Sequence, residues 1–199
     1  MITLLLDAGH GDPPLTGGKC SPDKSILEYY WARDVVERIA EKARARGIPV
    51  EIITPEKTDV PLRTRTTRVN NICRAKGAKN CVLVSVHINA APGIGWCNAT
   101  GFSAFVAPKS SANSKTLARI FWEHADRAGL RGNRSVPACK YWVGNFAIVR
   151  DTNCPAVLTE NLFMNNRSDA EYLKSEHGKN TIAELHVAAI LEYINTISK

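Results

Sequence analysis

The chain has 199 residues, of which 44% are hydrophobic and 23% charged, a balance that excludes disordered and fibrous proteins and suits one domain with a sizeable core. The net charge of +7 permits either a well-solvated surface or attraction to an anionic partner. No apolar run approaches the roughly 20 residues that span a bilayer, so we expect no transmembrane segment. The apolar opening, residues 2–6, is too short for a signal peptide and lacks a cleavage site, so we expect no signal peptide in this chain.

The first half of the chain predicts two strands and two helices before a long central strand. Residues 2–6 predict a buried strand that leads into a loop at Asp7–Gly11, and a polar stretch over 12–24 follows. Apolar residues at helical spacing predict an amphipathic helix over 25–46, ended by Gly47. Residues 50–53 predict a strand, 62–74 a helix, and the valine-rich segment 81–89 the central strand.

The second half continues the alternation of strands and helices. We predict strands over 101–107, 146–150 and 156–163, and helices over 114–129 and 169–197, the last broken near His177-Gly178. This order favours an α/β fold: a single domain with a twisted, mostly parallel or mixed sheet of about six strands and helices on both faces. No repeat or linker divides the chain.

The cysteines leave two interpretations open. None forms a CxxC pair, so a structural zinc site built on thiolates is not expected. An even number permits up to three disulfides, and buried free thiols are equally compatible. The six are Cys20, Cys73, Cys81, Cys97, Cys139 and Cys154.

Two histidines occupy positions where parallel strands collect ligands, beyond their carboxyl ends. His10 follows the first strand between two glycines, which allow a close backbone approach. His87 shares one face of the central strand with Ser85 and Asn89, and a buried polar group of this kind needs partners, of which a metal is one. A histidine that merely satisfies its own hydrogen bonds is the simpler alternative at each position.

Two glutamates have competing interpretations. Ser25 and Glu28 fit a helix capping box, and the residues alone favour that role for Glu28 over metal binding. Glu160 lies inside an apolar strand, where a carboxylate either pairs with an arginine or has a raised pKa suited to a general base or acid.

Taken in order, several motifs resemble the zinc-dependent N-acetylmuramoyl-L-alanine amidases of cell-separation enzymes and phage endolysins. Leu5-Leu-Asp-Ala-Gly-His-Gly11 is similar to that family's LDPGHG, and Glu28 falls where the family has a glutamate ligand. The remaining similarities are Leu62-x-x-Arg65 with Asn70, Ser85-Val-His-Ile-Asn89, Asn133-Arg134-Ser135-Val136, and Pro155-Ala-Val-Leu-Thr-Glu-Asn-Leu-Phe163 with Asn165, Asn166 and Asp169. They span nearly the whole chain.

The resemblance implies a role for each matching position. His10, Glu28 and His87 would bind one Zn²⁺, and Glu160 would accept a proton from water and return it to the departing L-alanine amine. Asp7, Ser85 and Asn89 are candidates to orient the ligands, and Arg134 and Asn161 to line the substrate groove. Residues 1–199 would form one catalytic domain without a separate wall-binding module.

Some segments depart from the family pattern. Ala8 and Ser135 replace a proline and a glycine, and the loop over 12–24 carries Pro13, Pro14 and Cys20. Three aromatic residues could stack on sugar, although packing in the core is the commoner outcome: Trp96, Tyr141 and Trp142. His124, His177 and His186 lie on predicted helices and are expected to be surface or core residues, not ligands.

The resemblance also implies a setting. The expected partner is bacterial peptidoglycan, reached in the periplasm, after secretion or through phage delivery, and we expect a monomer. A zinc peptidase acting inside the stem peptide and a non-catalytic wall-binding domain on the same scaffold are the alternatives. Nucleic acid is not an expected partner, because the basic residues lack interleaved aromatic platforms.

Overall fold

A six-stranded mixed sheet forms the centre of the computed structural model, which describes residues 1–12, 19–93 and 95–198. The strands are β1 (Thr3–Ala8), β2 (Val50–Ile52), β3 (Cys81–Asn89), β4 (Ser103–Val106), β5 (Trp142–Val143) and β6 (Ala156–Phe163). Their order across the sheet is β2-β1-β3-β6-β4-β5. The first four in this order are parallel, β4 is antiparallel to β6, and β5 is parallel to β4.

Helices cover both faces of this sheet. They are α1 (Glu28–Ala45), α2 (Leu62–Lys76), α3 (Ala112–Arg127), α4 (Ala147–Arg150), α5 (Arg167–Lys174) and α6 (Glu176–Ile197), with a 3₁₀ turn at Ala78–Asn80. Side chains alternate along each strand, so Leu4 and Leu6 pack with α1, α3 and α6 while Leu5 packs with α2 and α4. The predicted α/β class, strand number and single domain are confirmed.

Two predicted elements differ from the structure. The predicted strand over 146–150 is wrong, because Ala147–Arg150 forms the short helix α4 and buries Ile148 and Val149 against the sheet. An apolar run this short has no periodicity that separates a strand from a helix. The break in the last predicted helix lies at Ser175, whose Oγ accepts a hydrogen bond from the backbone N–H of Gly178 at 2.9 Å.

Gly178 has a packing role in place of the predicted helix break. A Cβ atom at this position would lie 2.0 Å from the carbonyl oxygen of Tyr172, so only glycine allows α5 and α6 to approach this closely.

The parallel strands determine where a site can form. β1, β3 and β6 run side by side, so the residues that end them lie together at one edge of the sheet. All six cysteines are free thiols. No helix among residues 1–12, 19–93 and 95–198 is long and apolar enough to cross a bilayer.

Candidate metal centre and active site

His10, Glu28 and His87 meet at the edge where the parallel strands end. One ligand atom from each lies within 4.8 Å of the others. Glu28 is central, with Oε2 3.5 Å from Nε2 of His10 and Oε1 3.0 Å from Nδ1 of His87. Among the described residues this is the one group whose donors could hold a metal ion.

Glu28 reaches the histidines because helix α1 begins later than the capping pattern predicts. Leu27 is the N-cap, Glu28 is the first helical residue, and the side chain of Ser25 contacts Asp23. The capping-box interpretation of Glu28 is therefore wrong. Its side chain is buried, with Oε1 accepting a hydrogen bond from the backbone N–H of Ile88 at 3.1 Å.

The loop after β1 holds His10 in an unusual conformation. The φ angle of His10 is 56°, a left-handed value that costs energy for a residue with a side chain. Its carbonyl oxygen accepts hydrogen bonds from Arg33 at 3.0 Å and Arg65 at 2.8 Å, which hold the strained turn in place. At Gly9, a Cβ atom would lie 2.5 Å from the His87 ring, so this position requires glycine.

The electrostatics of this group suit a divalent cation. Burial opposes ionisation of Glu28, but its hydrogen bond with His87 and the neighbouring His10 ring, 3.5 Å away, hold its pKa well below the usual range. Burial likewise opposes protonation of His87, and the hydrogen bond to Glu28 raises its pKa. Oε2 of Glu28 is buried without a hydrogen-bond partner. Two imidazoles and one ionised carboxylate with an unsatisfied oxygen fit the ligand set of catalytic zinc sites.

A buried hydrogen-bond chain orients His87. Arg65 donates to Asp7 Oδ1 at 2.9 Å, Ser85 Oγ lies 2.6 Å from Asp7 Oδ2, and His87 Nε2 lies 3.1 Å from Ser85 Oγ. The carboxylate can only accept, so the Ser85 hydroxyl donates to Asp7 and accepts from Nε2–H of His87. In the neutral ring Nδ1 then carries no proton, so this nitrogen can ligate a metal in place of its hydrogen bond to Glu28.

Asn89, the third residue predicted to orient the ligands, is placed differently. Its Oδ1 accepts a hydrogen bond from the backbone N–H of Ala90 at 2.9 Å, and among the described residues it hydrogen-bonds to neither histidine. Asp7 and Ser85 therefore carry the orientation of His87 in this structure.

Glu160 lies directly opposite His87 in the register of β3 and β6. Burial raises its pKa to about 7, while the charges of His87, Lys19 and Arg134 lower it and that of Glu28 raises it. Oε2 of Glu160 is buried without a hydrogen-bond partner, and no described arginine pairs with this carboxylate within 4.0 Å. A carboxyl group that titrates near neutral pH is suited to accept and release a proton.

A β-bulge follows Glu160. The register between β3 and β6 shifts between His87 and Asn89, and Leu162 has a φ of 64°. Asn161 is 0% exposed, and its Nδ2 donates to the carbonyl oxygen of His87 at 2.9 Å. The prediction that Asn161 lines the groove is wrong, because a fully buried side chain that turns to the backbone of β3 is closed to substrate.

The buried His186 lies behind Asn161, on the opposite face of the sheet, and is linked to it through Thr159. Nε2 of His186 lies 3.0 Å from Oγ1 of Thr159, which lies 3.3 Å from Nδ2 of Asn161. The sequence predicted only that His186 is a surface or core residue, and no local pattern links it to the site. His124 pairs with Glu192 and His177 is exposed, so both lie outside the site as predicted.

The half-buried Arg134 lies on the other side of Glu160. It donates to Ser103 Oγ at 2.6 Å, and its guanidinium lies 5.2 Å and 5.4 Å from the ring centres of Trp142 and Phe163. Trp96 and Tyr141 are also only partly buried, and Arg167 stacks on Trp96 at 4.5 Å.

An apolar cleft of about 360 Å³ opens beside His10 and His87. Its apolar walls come from the segment that enters α2 and from α4: Val60, Pro61, Leu62 and Ile148. Asp7, Asp59 and Arg65 line the rest. The sequence pattern did not point to this cleft, because it depends on the packing of α4 over the sheet. It offers a partly enclosed surface next to the ligands.

Comparison with known proteins agrees with the motifs and the fold. The family model described as N-acetylmuramoyl-L-alanine amidase matches residues 4–192. An endolysin of Bacillus phage SPP1 is 30% identical over 98% of this chain and 67% of its own length. The sporulation-specific N-acetylmuramoyl-L-alanine amidase of Bacillus subtilis strain 168 is 26% identical over 98% of this chain and 69% of its own.

A solved structure gives the same result. The N-acetylmuramoyl-L-alanine amidase from Clostridium difficile 630 superposes with a TM-score of 0.82 at 25% identity, covering 98% of this chain and 97% of that one. The chain belongs to the N-acetylmuramoyl-L-alanine amidase family.

Proposed function

We propose that this chain is a zinc-dependent hydrolase that cleaves the amide bond between the lactyl group of N-acetylmuramic acid and the L-alanine of the stem peptide in bacterial peptidoglycan. The proposal places its action at the bacterial cell wall. The observation that carries it is the approach of three ligand atoms, from His10, Glu28 and His87, beside a carboxyl group with a pKa of about 7.

In this proposal His10, Glu28 and His87 hold one zinc ion. Zinc in such a set supplies Lewis-acid chemistry, activating water at neutral pH and polarising a carbonyl group. Asp7 and Ser85 keep Nδ1 of His87 directed at Glu28. Asn161 holds the backbone of His87 from the opposite face.

Glu160 moves the proton. Its ionised form accepts a proton from the attacking water, and the same carboxyl group then donates that proton to the departing alanine amine. A pKa near 7 makes both directions accessible, because neither the acid nor the carboxylate is strongly favoured at neutral pH.

The direct test is zinc content and product analysis with purified peptidoglycan, with and without a chelator. We expect free lactyl carboxylates on the glycan and peptides with a new N-terminal alanine, both abolished by chelation and restored by zinc. His87→Ala should lose zinc, whereas the matched control His177→Ala, an exposed histidine, should keep it. Metal-independent release of the same products would contradict the proposal.

Products and variants also separate the alternatives. A peptidase would cut inside the stem peptide and leave the lactyl amide intact. A wall-binding domain would bind peptidoglycan without releasing product. Glu160→Gln should retain zinc and wall binding and lose hydrolysis by a factor of about 100 or more, and retained turnover would refute the role of Glu160.

A further inference from the structure

The arginine beside the catalytic carboxylate is built to receive an anion from outside the protein. Arg134 has five N–H donors, and the described residues provide one hydrogen-bond acceptor, Ser103 Oγ. No carboxylate of the described residues lies within 4.0 Å of it. Arg131, three residues earlier, is by contrast paired with Asp126 at 3.9 Å.

Two aromatic rings hold this guanidinium in place. Trp142 and Phe163 lie 5.2 Å and 5.4 Å from it, within the range of cation–π attraction. Rings and serine together restrict the side chain before any ligand arrives, so little rotamer freedom is lost on binding. A planar guanidinium group whose parallel N–H donors are free matches the two oxygens of a carboxylate.

The register of the sheet places Arg134 in line with the reacting groups. His87 pairs with Glu160, and Glu160 pairs with Ser103, so these three side chains form a row across one face of β3, β6 and β4. Arg134 joins this row through its hydrogen bond to Ser103 Oγ at 2.6 Å. One strand spacing, about 5 Å, separates Glu160 from Ser103.

The span matches the chemistry of the proposed substrate. In a stem peptide the carboxylate nearest the scissile amide is the α-carboxylate of the second residue. The proposed proton transfer places the alanine nitrogen of the scissile amide at Glu160. Two extended residues cover about 7 Å, so the carboxylate of the second residue can reach Arg134 next to Ser103.

We propose that Arg134 is a specificity residue that binds the free α-carboxylate of the second stem residue, so that the enzyme prefers stem peptides in which this group is not amidated. The inference rests on the proposed function for the substrate. Arg134 contributes mainly to substrate binding, and Glu160 retains its own role in proton transfer.

The test uses two muramoyl tetrapeptides that differ only at the second residue, one with a free α-carboxylate and one with the primary amide. With zinc-loaded wild-type protein we expect about a tenfold or larger preference for the carboxylate form, mainly in KM. Arg134→Gln should reduce the preference to within about twofold, and Arg134→Lys, which keeps the charge without the fork, should be intermediate. The control Arg131→Gln removes the same charge from the surface and should keep the wild-type preference.

Binding measurements make the outcome independent of turnover. Calorimetric titration of both tetrapeptides into zinc-loaded Glu160→Gln, and into the same variant carrying Arg134→Gln, should show the same loss of preference. Equal affinity of the first protein for both peptides would overturn the inference, as would a preference that survives the loss of Arg134. A change in the pH profile of hydrolysis without any change in preference would also overturn it, since Arg134 would then act on Glu160 alone. If the wild type bound with the expected preference but hydrolysed neither peptide, the proposed function would fail and the carboxylate site would stand.

Discussion

The side-chain amide of Asn161 donates a 2.9 Å hydrogen bond to the backbone carbonyl of His87, at the point where β6 shifts its register against β3. The bulge lets β6 present Glu160 on one face and Asn161 to the backbone of β3. Thr159 and His186 continue the contact to helix α6. The position of a proposed metal ligand is thus tied to the buried core on the opposite face.

Asn161→Asp tests whether this contact positions the ligand. The substitution keeps the shape, removes the donor and brings a carboxylate against a carbonyl oxygen. We expect zinc affinity, measured by competition with a chromophoric chelator, to fall by about tenfold or more. Asn71→Asp, the same change on the exposed surface of α2, should leave affinity unchanged. If the Asn161 variant bound zinc as tightly as the wild type, the contact would have no positioning role.

The buried side chain of His186 is expected to make the stability of the fold decrease in acid. Burial lowers its pKa from 6.5 to about 4, so the unfolded chain binds a proton more readily than the folded one over this range. Stability therefore falls as the pH decreases from about 6.5 towards 4, by about 3 kcal/mol at most.

Urea unfolding of the chelator-treated protein at several pH values measures this contribution. The stability difference between wild type and His186→Leu should change with pH across that window, whereas exposed His177→Leu should show no such change. A difference that does not vary with pH would exclude His186 as the source.

The buried carboxyl group of Glu160 is expected to lower the stability of the metal-free protein. This effect depends on pH in the direction opposite to that of His186. Its folded pKa of about 7 lies above the ordinary 4.5, so the metal-free folded state loses stability as the pH rises from about 4.5 to 7. Glu160→Gln removes the charge and should stabilise the metal-free protein at pH 8 by at most about 3 kcal/mol, with little effect at pH 4. Urea unfolding at both pH values checks this. An equal change in stability at both pH values would show that burial does not raise the pKa of this carboxyl group.

The sequence predicts the parts of the site that depend on strand ends. Parallel strands deliver their carboxyl ends to one edge, so His10 and His87 are expected to meet once the alternation of strands and helices is recognised. Glu28 is different, because the local pattern with Ser25 indicates a cap and only long-range contacts with the histidines overrule it. The role of Asn161 depends on a bulge and on its link through Thr159 to His186 in helix α6, and neither leaves a periodic pattern in the chain. The strand prediction over 146–150 fails for a related reason, since tertiary packing and not local periodicity makes Ala147–Arg150 helical.

Ser85 offers the sharpest test of the hydrogen-bond chain behind His87. Ser85→Ala removes the group that accepts from Nε2–H and donates to Asp7, so the ring loses the contact that sets its tautomer, and the buried Asp7 loses one donor. We expect zinc affinity to fall by about 10- to 100-fold, the range seen when such supporting contacts are lost. Ser85→Thr keeps the hydroxyl and should recover most of the affinity. Chelator competition at neutral pH measures both variants, and thermal unfolding of the metal-free proteins separates a local effect from general loss of structure. Because Nδ1 is the nitrogen nearest Glu28, an alanine variant with unchanged zinc affinity would mean that the ring is held by its contact with Glu28 alone.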